Sequence, residues 1–79
     1  MNFIADELVK LLSDNGVTQN CKEVRTHKNS SFVGLLVSDE NLDTVIGKLY
    51  RLHQDKKIHE FKSLNLFLPT SCSHFYMSI

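Results

Sequence analysis

The chain has no excess of charge of either sign, and this absence limits the partners it can take. Its 79 residues carry nine basic and nine acidic side chains, so the formal net charge is zero. A generic nucleic-acid binder usually shows a clear positive excess, and a nucleic-acid mimic a clear negative one. Neither class is indicated by the whole chain, although residues 39–43 carry a local charge of −3 and residues 44–62 one of +3.

Cysteine and long apolar runs are also scarce. Two cysteines, Cys21 and Cys72, allow one disulfide at most, and the first residues include acids where a secretory signal has basic ones. No apolar run approaches the roughly 18 residues that are needed to cross a bilayer. We therefore expect a cytoplasmic, intracellular protein with free thiols and no membrane contact.

Motifs for catalysis or ligand binding are absent. The sequence has no G-x-S-x-G, no C-x-x-C, no glycine-rich phosphate loop and no H-E-x-x-H. The pairs Cys21/His27 and Cys72/His74 contain metal-ligand types, but their C-x5-H and C-x-H spacings are not those of a zinc module. We therefore expect no enzymatic activity, no bound metal and no cofactor.

The chain does contain alternating helical and extended patterns over one small domain, residues 1–79. Apolar residues at helical spacing predict a helix over residues 2–15, which Asn15-Gly16 ends in a left-handed turn. "KEVRTH" and "SFVGLLVS" flank the polar turn "KNS" and predict a hairpin. A second helix is predicted to begin at Ser38 or Asp39 and to end near residues 54–57. Its expected buried stripe is Leu42, Val45, Ile46, Leu49 and Leu52, with Gly47 allowing a strand to approach closely.

The last third of the chain predicts one or two further strands. "KIHEFKSLNLFL" alternates Leu64, Leu66 and Leu68 and is ended by Pro69, while "HFYMSI" is a candidate for a final short strand. Two amphipathic helices need one sheet face to cover. We therefore expect an α+β two-layer sandwich in the order α-β-β-α-β, with an optional final β. Both helices should pack on one face of a mostly antiparallel sheet of three or four strands.

The most charged stretch is "RLHQDKKIHEFK", residues 51–62, and it has two main interpretations. It can be the solvated end of the second helix, where cations are favoured by the carbonyl dipoles. It can also belong to a phosphate-contacting patch made of Lys48, Arg51, Lys56 and Lys57. A metal site is disfavoured, because His53 and His59 lie on opposite sides of a predicted helix-to-strand break and share no helical face.

Strand parity predicts a second surface. Val33, Leu35 and Val37 share the side of their strand that suits the core, whereas Phe32 and Leu36 share the other side. In the third strand, Phe61 and Phe67 alternate with the leucines. We therefore expect an aromatic sheet face made of Phe32, Leu36, Phe61 and Phe67, bordered by Arg25, His27 and Tyr76. Such a patch usually marks an interaction site, unless residues 70–79 fold back to cover it.

These features favour a small protein-binding module. It would be an adaptor, a homodimer, or an inhibitor that occupies a partner's surface, a mode of action found among phage and viral regulators. Aromatic residues and arginine are typical of the centres of protein interfaces, so Arg25 belongs to the expected site. The alternative is a nucleic-acid-binding module that uses the basic stretch 48–62, or that stacks bases on the aromatic sheet face.

Overall fold

The computed structural model describes residues 4–26, 31–63 and 72–78. Neighbouring strands of its four-stranded sheet are all antiparallel, in the order β1-β2-β4-β3. The predicted α+β class is confirmed, and the optional final strand is present. The elements in chain order are α1 (Ile4–Asp14), a short 3-10 turn (Thr18–Asn20), β1 (Glu23–Thr26), β2 (Phe32–Ser38), α2 (Asp39–Gln54), β3 (Glu60–Ser63) and β4 (Cys72–Ser78).

Helix α1 ends as the sequence predicts. Gly16 adopts a φ of 73°, in the left-handed region that favours glycine. Its amide donates to the Ser13 carbonyl at 3.1 Å, and the Val17 amide donates to the Leu12 carbonyl at 2.8 Å. These two bonds define a Schellman motif. Leu12 and Val17 are both fully buried, so the ending also contributes to the core.

Helix α2 ends with the same motif, but a lysine takes the position of the glycine. The Lys56 amide donates to the His53 carbonyl at 3.0 Å, and the Lys57 amide donates to the Leu52 carbonyl at 2.9 Å. Lys56 has a φ of 61°. A side chain in this left-handed region crowds its own backbone, which costs about 1 kcal/mol.

The Lys56→Gly variant should therefore be more stable than a Lys56→Ala variant by about 1 kcal/mol. Both variants lose the same lysine charge at the carbonyl end of α2, so the difference between them reports the backbone strain alone. In a domain of this size the gain corresponds to roughly 4–8 °C in melting temperature. Equal melting temperatures, measured by circular dichroism, would contradict the strain at Lys56.

The core lies between the helices and one face of the sheet. Val33, Leu35 and Val37 of β2 are fully buried, as their parity predicts. Among the described residues the core also includes Ala5, Leu8, Leu12, Val17, Val45, Leu49, Leu52, Ile58, Phe75 and Met77. The opposite face of the sheet carries neither helix, so the two-layer arrangement is confirmed.

Two expectations for α2 are wrong. Ile46 is 36% exposed and does not belong to the buried stripe, because the buried side of α2 runs through Val45, Leu49 and Leu52, with Leu42 partly buried against the core. Gly47 does not allow a described strand to approach, since a Cβ built there would find no atom of residues 4–26, 31–63 or 72–78 within 4 Å. The glycine therefore costs the helix about 1 kcal/mol relative to alanine with no packing gain from these residues.

Strand β4 is a central strand of the sheet. Cys72–Ser78 pairs with all seven residues of β2 on one side and with β3 on the other. Its Phe75 and Met77 are buried in the core. The alternative that residues 70–79 fold back over the aromatic sheet face does not hold for the described part, residues 72–78, because these residues complete the sheet.

Cys21 and Cys72 are both free thiols. The Cys21 Sγ donates to the Val17 carbonyl at 3.3 Å, and burial raises the pKa of this thiol above its ordinary value. Within the described ranges, neither helix combines the length and the apolar character that crossing a bilayer requires.

Candidate functional site

The sheet face opposite the helices is the candidate site, and the strand register defines it. Residues paired across antiparallel strands project to the same face, so each row of the sheet can be followed from β1 to β3. One row reads Arg25, Gly34, Tyr76 and Lys62, and the next reads Glu23, Leu36 and His74. Parity adds Phe32, two residues before Gly34. We call this surface, made of Glu23, Arg25, Phe32, Gly34, Leu36, Lys62, His74 and Tyr76, the open face.

Gly34 lets the ring of Tyr76 lie across β2. A Cβ at Gly34 would be 3.2 Å from Cε1 of Tyr76 and 3.9 Å from the Cβ of Arg25. The absence of a side chain at this position therefore provides the space that the ring occupies. The ring of His74 lies beside that of Tyr76, with 5.0 Å between centroids and an angle of 39° between the planes. The result is an aromatic surface in the middle of the sheet.

Phe32 and Leu36 extend this surface along β2. Phe32 is 53% exposed and Tyr76 is 36% exposed, while Leu36 is half-buried. The three side chains stand on two central strands that are hydrogen-bonded to each other along their whole length. Their backbone is therefore fixed before any ligand arrives, which reduces the entropy lost on binding.

The charge at the β1 edge of the open face is balanced. Nη2 of Arg25 lies 3.3 Å from Oε2 of Glu23, and both side chains are exposed. Such a pair contributes little to stability. It does affect what can bind, because an anion that approaches Arg25 also meets the Glu23 carboxylate.

The structure corrects the expected membership of this surface. Phe61 is not on the open face: it pairs with Met77, a core residue, and packs against the core on the helix side. Its ring stands edge-on to that of His53 of α2, with 6.0 Å between centroids. The alternation assumed for β3 had the opposite parity. Phe67 and His27 lie outside the described residues.

Three residues of the open face, Glu23, Lys62 and His74, were not predicted from the sequence. His74 stands two residues before Tyr76, so the alternation of a strand over "HFYMSI" would have placed both rings together. The predicted members Phe32, Leu36, Arg25 and Tyr76 do lie on one face, and they neighbour one another through the register of β1, β2 and β4.

Most of the basic stretch lies away from the open face, because Lys48, Arg51, Lys56 and Lys57 belong to α2 or follow its end, whereas Lys62 is on the open face. Lys48 is half-buried, and its Nζ donates to the Asn15 carbonyl at 3.3 Å, where it satisfies the exposed end of α1. Arg51, Lys56 and Lys57 are exposed at the carbonyl end of α2. Of the four side chains expected to contact phosphate, Lys48 therefore forms a hydrogen bond within the fold, and the other three are exposed at the surface.

An open depression of about 510 Å³ lies at this end of α2. It is lined by His53, Gln54, Lys56, Ile58 and His59. The two histidines that the sequence separates therefore line one depression. In the described part of the chain, however, no group of three or more His, Cys, Asp or Glu side chains could hold a metal ion.

No protein-family model matches the chain, and no curated protein or solved structure is significantly similar to it.

Proposed function

We propose that this protein binds a protein partner through the open face, as an adaptor or as an inhibitor that occupies the partner's surface. One observation carries the proposal. The ring of Tyr76 lies across Gly34 and continues into Phe32 and Leu36, so an apolar strip crosses a sheet face that neither helix covers.

The composition of the strip favours a protein over a nucleic acid. Tyrosine, phenylalanine and arginine are enriched at the centres of protein interfaces, where a few well-packed aromatic residues supply most of the binding energy. Bases also stack on sheet aromatics, but that mode uses cations beside the rings for the phosphates. Of the two cations on the open face, Arg25 is paired with Glu23, which opposes a phosphate at the β1 edge. Lys62, the register partner of Tyr76, is the other cation of this face.

This function requires binding alone, so it needs no catalytic group, metal or cofactor. We assign it to the inside of the cell, since the two free thiols suit a reducing compartment. An inhibitor or adaptor of this kind depends on the geometry of one surface, and the small domain supplies that surface on a rigid sheet.

The test is affinity capture from a lysate of the source organism, quantified by mass spectrometry, with the Phe32→Thr/Tyr76→Thr double variant beside the wild type. Threonine keeps a high β-propensity at both positions. We expect the wild type to retain a defined partner and the double variant to lose at least about 30-fold in affinity, corresponding to about 2 kcal/mol for central anchors. The captured partner is then purified and its affinity measured by calorimetry.

Tyr50 offers a matched control on the opposite side of the molecule. It is 55% exposed on α2, close to the exposure of Phe32, so Tyr50→Gln removes a similar aromatic area without touching the open face. Equal retention of the partner by the double variant and by wild type would refute the assignment. So would a Tyr50→Gln variant that, at concentrations where the chain is monomeric, loses as much affinity for the purified partner as the double variant does.

A second candidate function is phosphate or nucleic-acid binding at the basic end of α2. The observation that favours it is the shared depression lined by Lys56, His53 and His59, with Arg51 and Lys57 exposed nearby. The carbonyl dipoles of α2 already engage part of this charge, which makes it the weaker candidate. Capture that disappears on nuclease treatment, and that the Lys56→Gln/Lys57→Gln variant abolishes, would favour this function over the first.

A further inference from the structure

The side of α2 that faces away from the sheet forms a second exposed surface, separate from the open face. Asp43, Gly47 and Arg51 follow one another at intervals of four residues, so they lie along one line of the helix. Ile46 and Tyr50 lie next to this line, and all five residues are exposed. The line is opposite the buried residues Val45, Leu49 and Leu52 and therefore faces away from the sheet. We call these five residues the α2 stripe.

The charge pattern of the α2 stripe is complementary to the same pattern on a second helix that runs in the opposite direction. Asp43 and Arg51 lie about 6 Å on either side of Gly47 along the helix axis. In an antiparallel pair of α2 helices centred on Gly47, Asp43 of each copy would meet Arg51 of the other. A parallel pair would instead place like charges together, which is unfavourable.

The other charges at the two ends of α2 follow the same order, negative at the start and positive after the end. Asp39 and Glu40 add negative charge to its first turn, and Lys56 and Lys57 add positive charge just after its end. Antiparallel docking also brings the positive end of each helix dipole towards the negative end of the other. Within the described part of the chain neither Asp43 nor Arg51 forms an ion pair, so both charges are available to a second copy.

Gly47 fits the crossing point. Among the described residues nothing lies within 4 Å of the position where its Cβ would be, so they give the glycine no packing role in a single copy. The distance between packed helices depends on the side chains at the contact. A glycine at the centre would let the two helices approach closely, with Ile46 and Tyr50 of both copies packed along one side of the contact.

We propose that the α2 stripe docks antiparallel on the same stripe of a second copy of this chain. The charge pattern identifies the partner as a second copy. The stripe is acidic at one end, has a glycine at its centre and is basic at the other end, so it is complementary to the same stripe in antiparallel orientation. A stripe on a 16-residue helix is smaller than the standard interface of about 1,600 Å². The dimer should therefore be weak, with a dissociation constant above about 1 µM, and it should weaken further as salt screens the ion pairs.

A charge exchange tests the proposal by sedimentation equilibrium over a concentration series that reaches the millimolar range. Asp43→Arg alone and Arg51→Asp alone each turn two attractive pairs into two repulsive ones, so each variant should self-associate at least about tenfold more weakly than wild type. The double variant Asp43→Arg/Arg51→Asp restores opposite charges and should recover dimerisation. An equimolar mixture of the two single variants should form a mixed dimer that neither forms alone.

A second variant separates close helix packing from charge. Gly47→Gln places a long side chain at the crossing point but is a better helix former than glycine. It should melt at or above the temperature of the wild type while self-association falls. Both charge variants alter exposed side chains, so their thermal melts should confirm that the fold is retained.

Several results would overturn the inference. A wild type that stays monomeric throughout the series would do so, and so would single variants that dimerise as well as wild type. A mixture that associates no better than its two components would have the same meaning. If only Phe32→Thr/Tyr76→Thr removes the dimer, then the copies meet through the open face, which overturns the α2 stripe and leaves the proposed protein-binding role of the open face standing.

Discussion

The Phe61→Thr variant should melt roughly 8–16 °C below the wild type, a loss of about 2 kcal/mol in the free energy of unfolding. Phe61 is half-buried, packs against the core and stands edge-on to the ring of His53. Truncating a fully buried phenylalanine to alanine costs about 3–5 kcal/mol, and a half-buried one costs less. Because threonine keeps the β-propensity of the strand, the loss reports packing.

The Phe32→Thr variant is the matched control for this loss. Phe32 is 53% exposed on the open face, and surface substitutions usually change stability by about 0.5 kcal/mol or less. Thermal unfolding followed by circular dichroism compares the two variants directly. Equal losses, or a larger loss for Phe32→Thr, would mean that the two phenylalanines have been assigned to the wrong faces of the sheet.

Removal of residues 72–79 should abolish folding altogether. This deletion takes away β4, which joins β2 to β3, and with it the buried side chains of Phe75 and Met77. Each of these two side chains is worth about 2–5 kcal/mol in the core, and β3 loses its only strand partner in the described sheet. A domain with a total stability of about 5–15 kcal/mol does not withstand these losses together.

The truncated chain should show no cooperative thermal transition and a collapsed dispersion of amide signals in its NMR spectrum. A Tyr76→Thr variant is the control, since it changes β4 only on the open face and should keep both the transition and the dispersion. A truncated chain that still unfolds cooperatively would show that β4 is peripheral to the fold, contrary to its central position in the sheet.

The elements that the sequence predicted correctly are those with local signals. The end of α1 depends on Asn15-Gly16 and on Val17, all adjacent in the chain, and the structure shows the predicted ending. The inward side of β2 follows from strand parity, because Val33, Leu35 and Val37 form a continuous aliphatic set, whereas the other side combines Phe32 and Gly34 with Leu36. In both cases the deciding residues are contiguous, so no knowledge of distant strands was needed.

The errors concern features that depend on distant partners. The face of Phe61 is set by its pairing with Met77, sixteen residues later, and alternation within "KIHEFKSLNLFL" fits either parity. The width of the buried stripe of α2 depends on how much of the helix surface packs against the sheet, which the sequence of the helix alone does not show. In the structure the stripe does not extend to Ile46. The central place of β4 could not be predicted either, since composition indicates burial but not the order of strands.

The placement of the two helices on one side of the sheet has a consequence for valency. Two copies joined through their α2 stripes would stack as sheet, helix layer, helix layer and sheet, with their open faces pointing in opposite directions. Such a pair would bridge two partner molecules, or two sites on one large partner, without enclosing either. A second contact made by a linked module can raise the apparent affinity by about 10²–10⁴-fold, so a weak dimer would turn a modest binder into an effective cross-linker.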